Sequence, residues 1–179
     1  MLIFSKSFPE LPTGQSAADQ MFLVRDSIQI DAPIDRCFLL STSVDLVART
    51  IGMRPMRGKT SGLILGGDRL EWRGWKFGLP QRHETLITQY RRPDFFQDSM
   101  ASGRFRTFEH DHEFIEVGGQ TVLRDEVRFS MPFGLAGSLA GKFILAPHVR
   151  SLVRRRFALL KQIAESEEWR RYLPPTGQL

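Results

Sequence analysis

The chain has 179 residues, 41% hydrophobic and 25% charged, with a net charge of +5 and a single cysteine, Cys37. This length and balance suit one globular domain with a full core, and the lone cysteine excludes an intramolecular disulfide and fits a reducing compartment. No apolar run approaches the roughly 20 residues of a membrane span, and the opening MLIFSKSF lacks the pattern of a secretory signal, so a cytoplasmic location is expected.

Residues 1 to about 20 have no regular period, broken as they are by Pro9, Pro12 and Gly14, and are read as a flexible arm. Phe22 to Ile30 alternate as a first strand, and Asp31-Ala32-Pro33 stops it. Pro33 suits a helix start, so Ile34 to Leu40 and then Val44 to Thr50 are two short predicted helices. Cys37 falls in the first of these as a core residue with no neighbour that would activate its thiol. From about residue 56 the pattern turns to strands: Gly62–Leu65, Arg69–Phe77 with a kink or bulge at Gly74, Gln81–Tyr90 and Asp94–Met100. Turn signals at Gly66-Gly67-Asp68, Gly78-Leu79-Pro80 and Ser102-Gly103 separate them, which implies an antiparallel meander.

Arg104 to Pro132 read as a long hairpin around Gly118-Gly119, a pair that supplies the positive φ of a tight two-residue turn. That turn sets Phe114 opposite Leu123, His112 opposite Asp125, His110 opposite Val127 and Phe108 opposite Phe129. All eight share one face, because the side-chain period of a strand is two. The other face carries Glu109, Asp111, Glu113, Arg124, Glu126 and Arg128 and belongs in water. The face meant to be dry therefore holds two histidines and an aspartate, a polar cluster that demands a reason.

After Pro132 comes one long helix, from about Leu135 to Tyr172, kinked or split at Pro147. Leu135, Leu139, Phe143, Ala146, Val149, Val153, Phe157, Leu160 and Ala164 recur at helical spacing and predict its buried stripe. Over residues 142–171 eight Lys and Arg face three Glu, an excess equal to the charge of the whole chain. Such charges are ordinarily the solvated face of an amphipathic helix, and they could also touch an anionic partner.

The order of strand, two short helices, six-strand meander and long C-terminal helix resembles the helix-grip fold. This is an α+β architecture of the START-like or SRPBCC superfamily, with its birch-pollen-allergen-like proteins and polyketide cyclases. The resemblance runs over residues 21 to 162 and is carried by four short segments. They are Asp31-Ala32-Pro33, Pro93-Asp94-Phe95-Phe96, His110-Asp111-His112-Glu113-Phe114, and the strand end from Asp125 through Val127, Phe129 and Pro132 to Gly134. It implies a curved sheet wrapped around the helix, a domain over 21–172 with a tail at 173–179, and a cavity for a hydrophobic or amphipathic small molecule. It requires no cofactor and does not imply one activity.

Three functions follow as expectations. The leading one is non-covalent binding or transport of a hydrophobic molecule, with Trp72, Phe96, Phe108, His110, His112, Phe114, Asp125, Phe129 and Phe143 as ligand-lining candidates. The second is a cyclase or dehydratase acting on a polyketide-like or aromatic substrate, with His112 and Asp125 as its catalytic acid–base pair. The third is a module whose basic helix docks on a membrane or RNA; of these a peripheral membrane contact is the expected partner, and nucleic acid is not. His112 and Asp125 have a purely structural explanation too, as a cross-strand hydrogen bond that pins register. A bound metal is not expected, since His110, His112 and Asp125 lack a visible firm third-strand ligand, with His83 a remote candidate.

Overall fold

The computed structural model describes residues 20–173, so the arm and tail expected at the two ends fall outside the described residues apart from their inner edges. Seven strands form one antiparallel sheet: β1 (Met21–Ile30), β2 (Arg54–Gly58), β3 (Arg69–Lys76), β4 (Leu79–Arg91), β5 (Phe95–Ser102), β6 (Thr107–Val117) and β7 (Gln120–Ser130). Their order is β1-β7-β6-β5-β4-β3-β2, a six-strand meander to which β1 adds along β7. Two short helices, α1 (Ile34–Ser41) and α2 (Val44–Ile51), join β1 to β2. The chain ends in α3 (Gly134–Ala140), a π-helical turn over Gly141–Leu145, α4 (Ala146–Ala164) and a short 3-10 turn at Glu167–Arg171. This is the expected helix-grip architecture.

The β6–β7 hairpin has the predicted register, with His112 opposite Asp125, His110 opposite Val127 and Phe114 opposite Leu123. Gly118 and Gly119 both have positive φ, 60° and 81°, as a tight hairpin turn requires. The register crosses further strands: Asp98 of β5 lies opposite His110 and Phe96 opposite His112, while Val24 of β1 lies opposite Val127. One concave row therefore holds Val24, Val127, His110 and Asp98. On the convex side Arg128 binds Glu109, Asp111 and Glu126, and Arg25 binds Glu126, as befits a solvated face.

Two strand expectations change. Gly62–Leu65 makes only an isolated bridge, Leu63 to Ser43, and is drawn onto the α1–α2 junction where the Ile64 N–H donates to the Thr42 carbonyl. The edge strand is instead Arg54–Gly58, a polar stretch whose Pro55 is tolerated at an edge beside a register shift. Gly74 sits in regular pairing opposite Gln81, and the irregularities of the long strands fall in β4–β5, at Glu84/Thr85 and Ile87/Gln89.

The helix expectation is also corrected in its first half. Val149, Val153, Phe157, Leu160, Ile163 and Ala164 are buried, but Leu135, Leu139 and Phe143 are exposed, Phe143 at 66%. The small residues make the contact there: a Cβ on Gly141 would lie 2.4 Å from the Phe22 ring. The helix can approach β1 that closely because the position has no side chain. Helical structure ends at Ala164, and the residues up to Arg171 form only the 3-10 turn.

The core has two parts. The larger packs Phe38 edge-on against Phe96 and Phe114, at 5.7 and 5.2 Å between ring centroids, with Phe129, Phe157 and Leu160 nearby. The smaller holds Trp72 with Val44, Ile64, Leu70 and Ile87 beneath α2.

Candidate functional site

The concave face carries a buried polar cluster drawn from four elements: Asp98 of β5, His110 and His112 of β6, Asp125 of β7 and Arg156 of α4. His112 lies between two carboxylates, its Nδ1 3.0 Å from Asp125 Oδ1 and its Nε2 2.9 Å from Asp98 Oδ1. His110 is placed likewise, its Nε2 3.1 Å from Asp125 Oδ2 and its Nδ1 3.7 Å from Asp98 Oδ1. The two rings are 3.8 Å apart, and Phe96 stacks on His112 at 4.1 Å. Arg156 Nη1 donates to Asp125 Oδ2 at 2.7 Å, a buried ion pair.

Electrostatics divides these groups. Burial alone would raise the Asp125 carboxyl, but the Arg156 guanidinium, then His112 and His110, hold it well below its ordinary value. Burial lowers His110, with His112 beside it acting in the same direction. Burial also lowers His83, whose ring meets Phe108 edge-on at 5.9 Å. Access is one-sided: the side chains of Asp98 and His110 keep 19% and 13% of their exposure, whereas those of His112 and Asp125 keep 4% and 0%. One donor of the cluster, Arg156 Nη2, is buried without a hydrogen-bond partner.

The structure brings together most of the sequence candidates. Phe96, His110, His112, Phe114, Asp125 and Phe129 sit on one concave surface, with Phe108 half-buried at its rim against Phe105. Trp72 is buried in the smaller core, and Phe143 stands outside with Lys142 over its ring. Cys37 is buried, and burial pushes its thiol up, as a core role implies. Two members of the cluster, Asp98 and Arg156, were not among the sequence candidates. Arg156 carried a signal, since it falls on the stripe of Val149, Val153, Phe157 and Leu160. Asp98 carried a weaker one: it lies two residues from Phe96 on the same strand face, but the Ser102-Gly103 turn signal does not set the β5–β6 register that brings it to the histidines. Asp98, His110 and His112 each offer one ligand atom, all within 4.8 Å of one another, which supplies the third-strand group a metal site needs.

A concavity of about 410 Å³ runs along the outer side of α4, and one of about 600 Å³ lies among the convex-face residues Arg25, Asp111, Glu113 and Arg124, with Asp125 contributing to its lining. Beneath the helix, aromatic side chains pack around the cluster.

No family model and no curated relative matches this sequence. Solved structures do match its fold. Protein TTHA0849 from Thermus thermophilus superposes with a TM-score of 0.62 at 17% identity, over 80% of this chain and 99% of that one. The di-domain ARO/CYC protein BexL of the BE-7585A biosynthetic pathway gives 0.64 at 15% identity, over 82% of this chain and 51% of that one. Norcoclaurine synthase from Thalictrum flavum gives 0.60 at 9% identity, over 83% and 96%. A START superfamily protein from Mycobacterium smegmatis gives 0.60 at 11% identity, over 79% and 98%. These likenesses establish the helix-grip, START-like fold.

Proposed function

We propose that this helix-grip chain binds an amphipathic small molecule on the concave face. Its polar end meets His110 and Arg156, and its apolar body lies along Phe105 and Phe108. The observation that carries the reading is Arg156 Nη2, a buried donor without a hydrogen-bond partner, beside the partly exposed His110. Buried donors are nearly always satisfied, and a ligand carbonyl, hydroxyl or carboxylate is the group that would satisfy this one. Norcoclaurine synthase, of the same fold and solved in complex with dopamine and hydroxybenzaldehyde, supports a small-molecule role. In a reaction His110 is the better placed proton carrier, because its side chain keeps 13% exposure where that of His112 keeps 4%.

Anilinonaphthalene sulfonate, apolar rings with one anionic group, is a suitable probe. It should bind saturably, and Phe108→Ala or His110→Leu should each weaken it by roughly tenfold, equivalent to about 1.4 kcal/mol. Binding that is absent, or unchanged in both variants, refutes the reading. Native mass spectrometry of the purified chain shows separately whether a molecule copurifies.

A specific surface favours a second, compatible property, peripheral contact with an anionic membrane. Trp75, Phe77, Phe133, Leu139, Phe143 and Ile144 are all exposed, and Phe77 at the β3–β4 tip meets His148 of α4 at 4.9 Å. Between Glu126 and Glu165 the sequence has no acidic residue, while Lys142, Arg150, Arg154 and Arg155 lie there. Arg154 pairs with Asp26 of β1, and exposed aromatic and aliphatic groups beside Lys142, Arg150 and Arg155 match an anionic lipid surface. No helix among the described residues is long and apolar enough to cross a membrane, so the contact would be interfacial. Vesicles containing phosphatidylglycerol should sediment the chain and neutral phosphatidylcholine vesicles should not. Phe143→Ser with Leu139→Ser should abolish the effect, and equal sedimentation by both vesicle types would refute it.

A further inference from the structure

A count of protons in the buried cluster leads past ligand binding. The two imidazoles make four close approaches to carboxylate oxygens: His112 to Asp125 and Asp98 at 3.0 and 2.9 Å, and His110 to the same two residues at 3.1 and 3.7 Å. A neutral imidazole carries one N–H, and an ionised carboxylate only accepts. Two neutral rings therefore supply two protons for four approaches, and two nitrogen lone pairs are left facing carboxylate oxygen. Asp125 already has a cation, since Arg156 donates to it at 2.7 Å. The ionic partners of Asp98 are the imidazoles of His112 and His110. With both N–H groups turned to Asp125, His112 Nε2, His110 Nδ1 and Asp98 Oδ1 are three lone-pair donors within 4.8 Å of one another.

We propose that Asp98, His110 and His112 form a binding site for a divalent transition-metal ion, with Zn²⁺ the reference ion. Two imidazole nitrogens and one carboxylate are a donor set suited to zinc or ferrous iron and unlike the all-oxygen sets of calcium or magnesium. Bonds of about 2.0–2.2 Å in a tetrahedral array place ligand atoms about 3.4 Å apart. The observed spacings from Asp98 Oδ1, 2.9 Å to His112 Nε2 and 3.7 Å to His110 Nδ1, bracket that value. Asp125 completes the arrangement from behind. It faces the second nitrogen of each ring, and such a carboxylate fixes the tautomer of a metal-bound histidine. Arg156 neutralises Asp125, so Asp98 is the carboxylate left to bind the ion. Three protein ligands leave one position open, on the side where Asp98 and His110 keep their exposure, and a water or a ligand oxygen fits there.

The test uses the full chain without a histidine tag, stripped with a chelator, and metal alone as the probe. Isothermal titration should give one Zn²⁺ per chain, and Co²⁺ should give the intense visible absorption of a site with mixed nitrogen and oxygen ligands and low coordination number. Mg²⁺ should not bind. Asp98→Asn and His110→Ala should each weaken Zn²⁺ by roughly 100-fold or more, in proteins whose thermal melts show that both remain folded. Should either variant unfold, the wild-type Co²⁺ spectrum and Zn²⁺ stoichiometry still decide. Absence of Zn²⁺ and Co²⁺ binding by the wild type overturns the proposal. Binding that survives both substitutions in folded protein overturns it equally. Because no organic ligand enters the test, its failure is distinct from failure of the ligand-binding proposal.

Discussion

Replacing Arg156 by methionine should destabilise the protein by about 3–5 kcal/mol, the cost of leaving a buried charge without its partner. The size follows from the setting. Asp125 has 0% side-chain exposure and Arg156 10%, and the Nη1–Oδ2 distance is 2.7 Å. Methionine keeps the stem's packing against the interior but removes the guanidinium, so Asp125 retains only imidazoles as partners. Asp125→Asn removes the charge with little change of shape and strands the guanidinium instead. In the double variant neither charge remains, and part of the loss should return. The two single effects should therefore exceed the double effect by about 2–3 kcal/mol. Urea unfolding of the four proteins, followed by the fluorescence of Trp72 and its fellow tryptophans, measures each term. Additivity within about 0.5 kcal/mol would show that the ion pair does not couple β7 to α4.

Other outcomes test the packing. Phe157→Ala, on the buried face of α4, should cost about 3–5 kcal/mol, whereas Phe143→Ala, on the outer face, should change urea stability by less than about 0.5 kcal/mol. Gly141→Val should cost about 1–3 kcal/mol or more, since its Cβ would meet the Phe22 ring at 2.4 Å and force the helix off β1; a neutral result would show that the helix has room to shift. Thr121→Val should cost about 1 kcal/mol, because the buried Thr121 hydroxyl donates to the Ala32 carbonyl at 2.7 Å. Unchanged thermal stability would remove that tether from the account of how β7 holds the start of α1.

Where local chemistry determines geometry, the sequence is readable. Gly118-Gly119 pins the hairpin, and a period of two then puts His110, His112 and Asp125 on one face, as observed. Longer-range placement was less readable. Asp98 faces His110 through the β5–β6 pairing, and the Ser102-Gly103 signal marks a turn without fixing the length of the connection to Thr107, so it leaves that register open. Arg156 lay in plain view within Arg154-Arg155-Arg156. The run of charge suggested one solvated face, yet helical spacing from Val153 to Leu160 sends only the third arginine inward. Gly62–Leu65 and Arg54–Gly58 exchange roles for a similar reason. Four apolar residues fit a strand or a core-facing loop equally well, and an edge strand needs little hydrophobicity.

The first half of the C-terminal helix shows one residue type acting over a distance. Pro147 has no N–H and would crowd the carbonyl four residues earlier, at Phe143. The chain meets this with the π turn over Gly141–Leu145, where the Ala146 N–H reaches back to the Gly141 carbonyl. The extra residue rotates α3 relative to α4 by about one residue's angular step, roughly 100°. The stripe that reads as continuous from Leu135 to Leu160 is therefore broken. Its second half is buried over the cluster, while Leu139 and Phe143 turn outward on the same segment as Lys142. A proline that ends one regular hydrogen-bond pattern thus separates the helix into a part that holds Asp125 through Arg156 and a part that presents an apolar, basic surface.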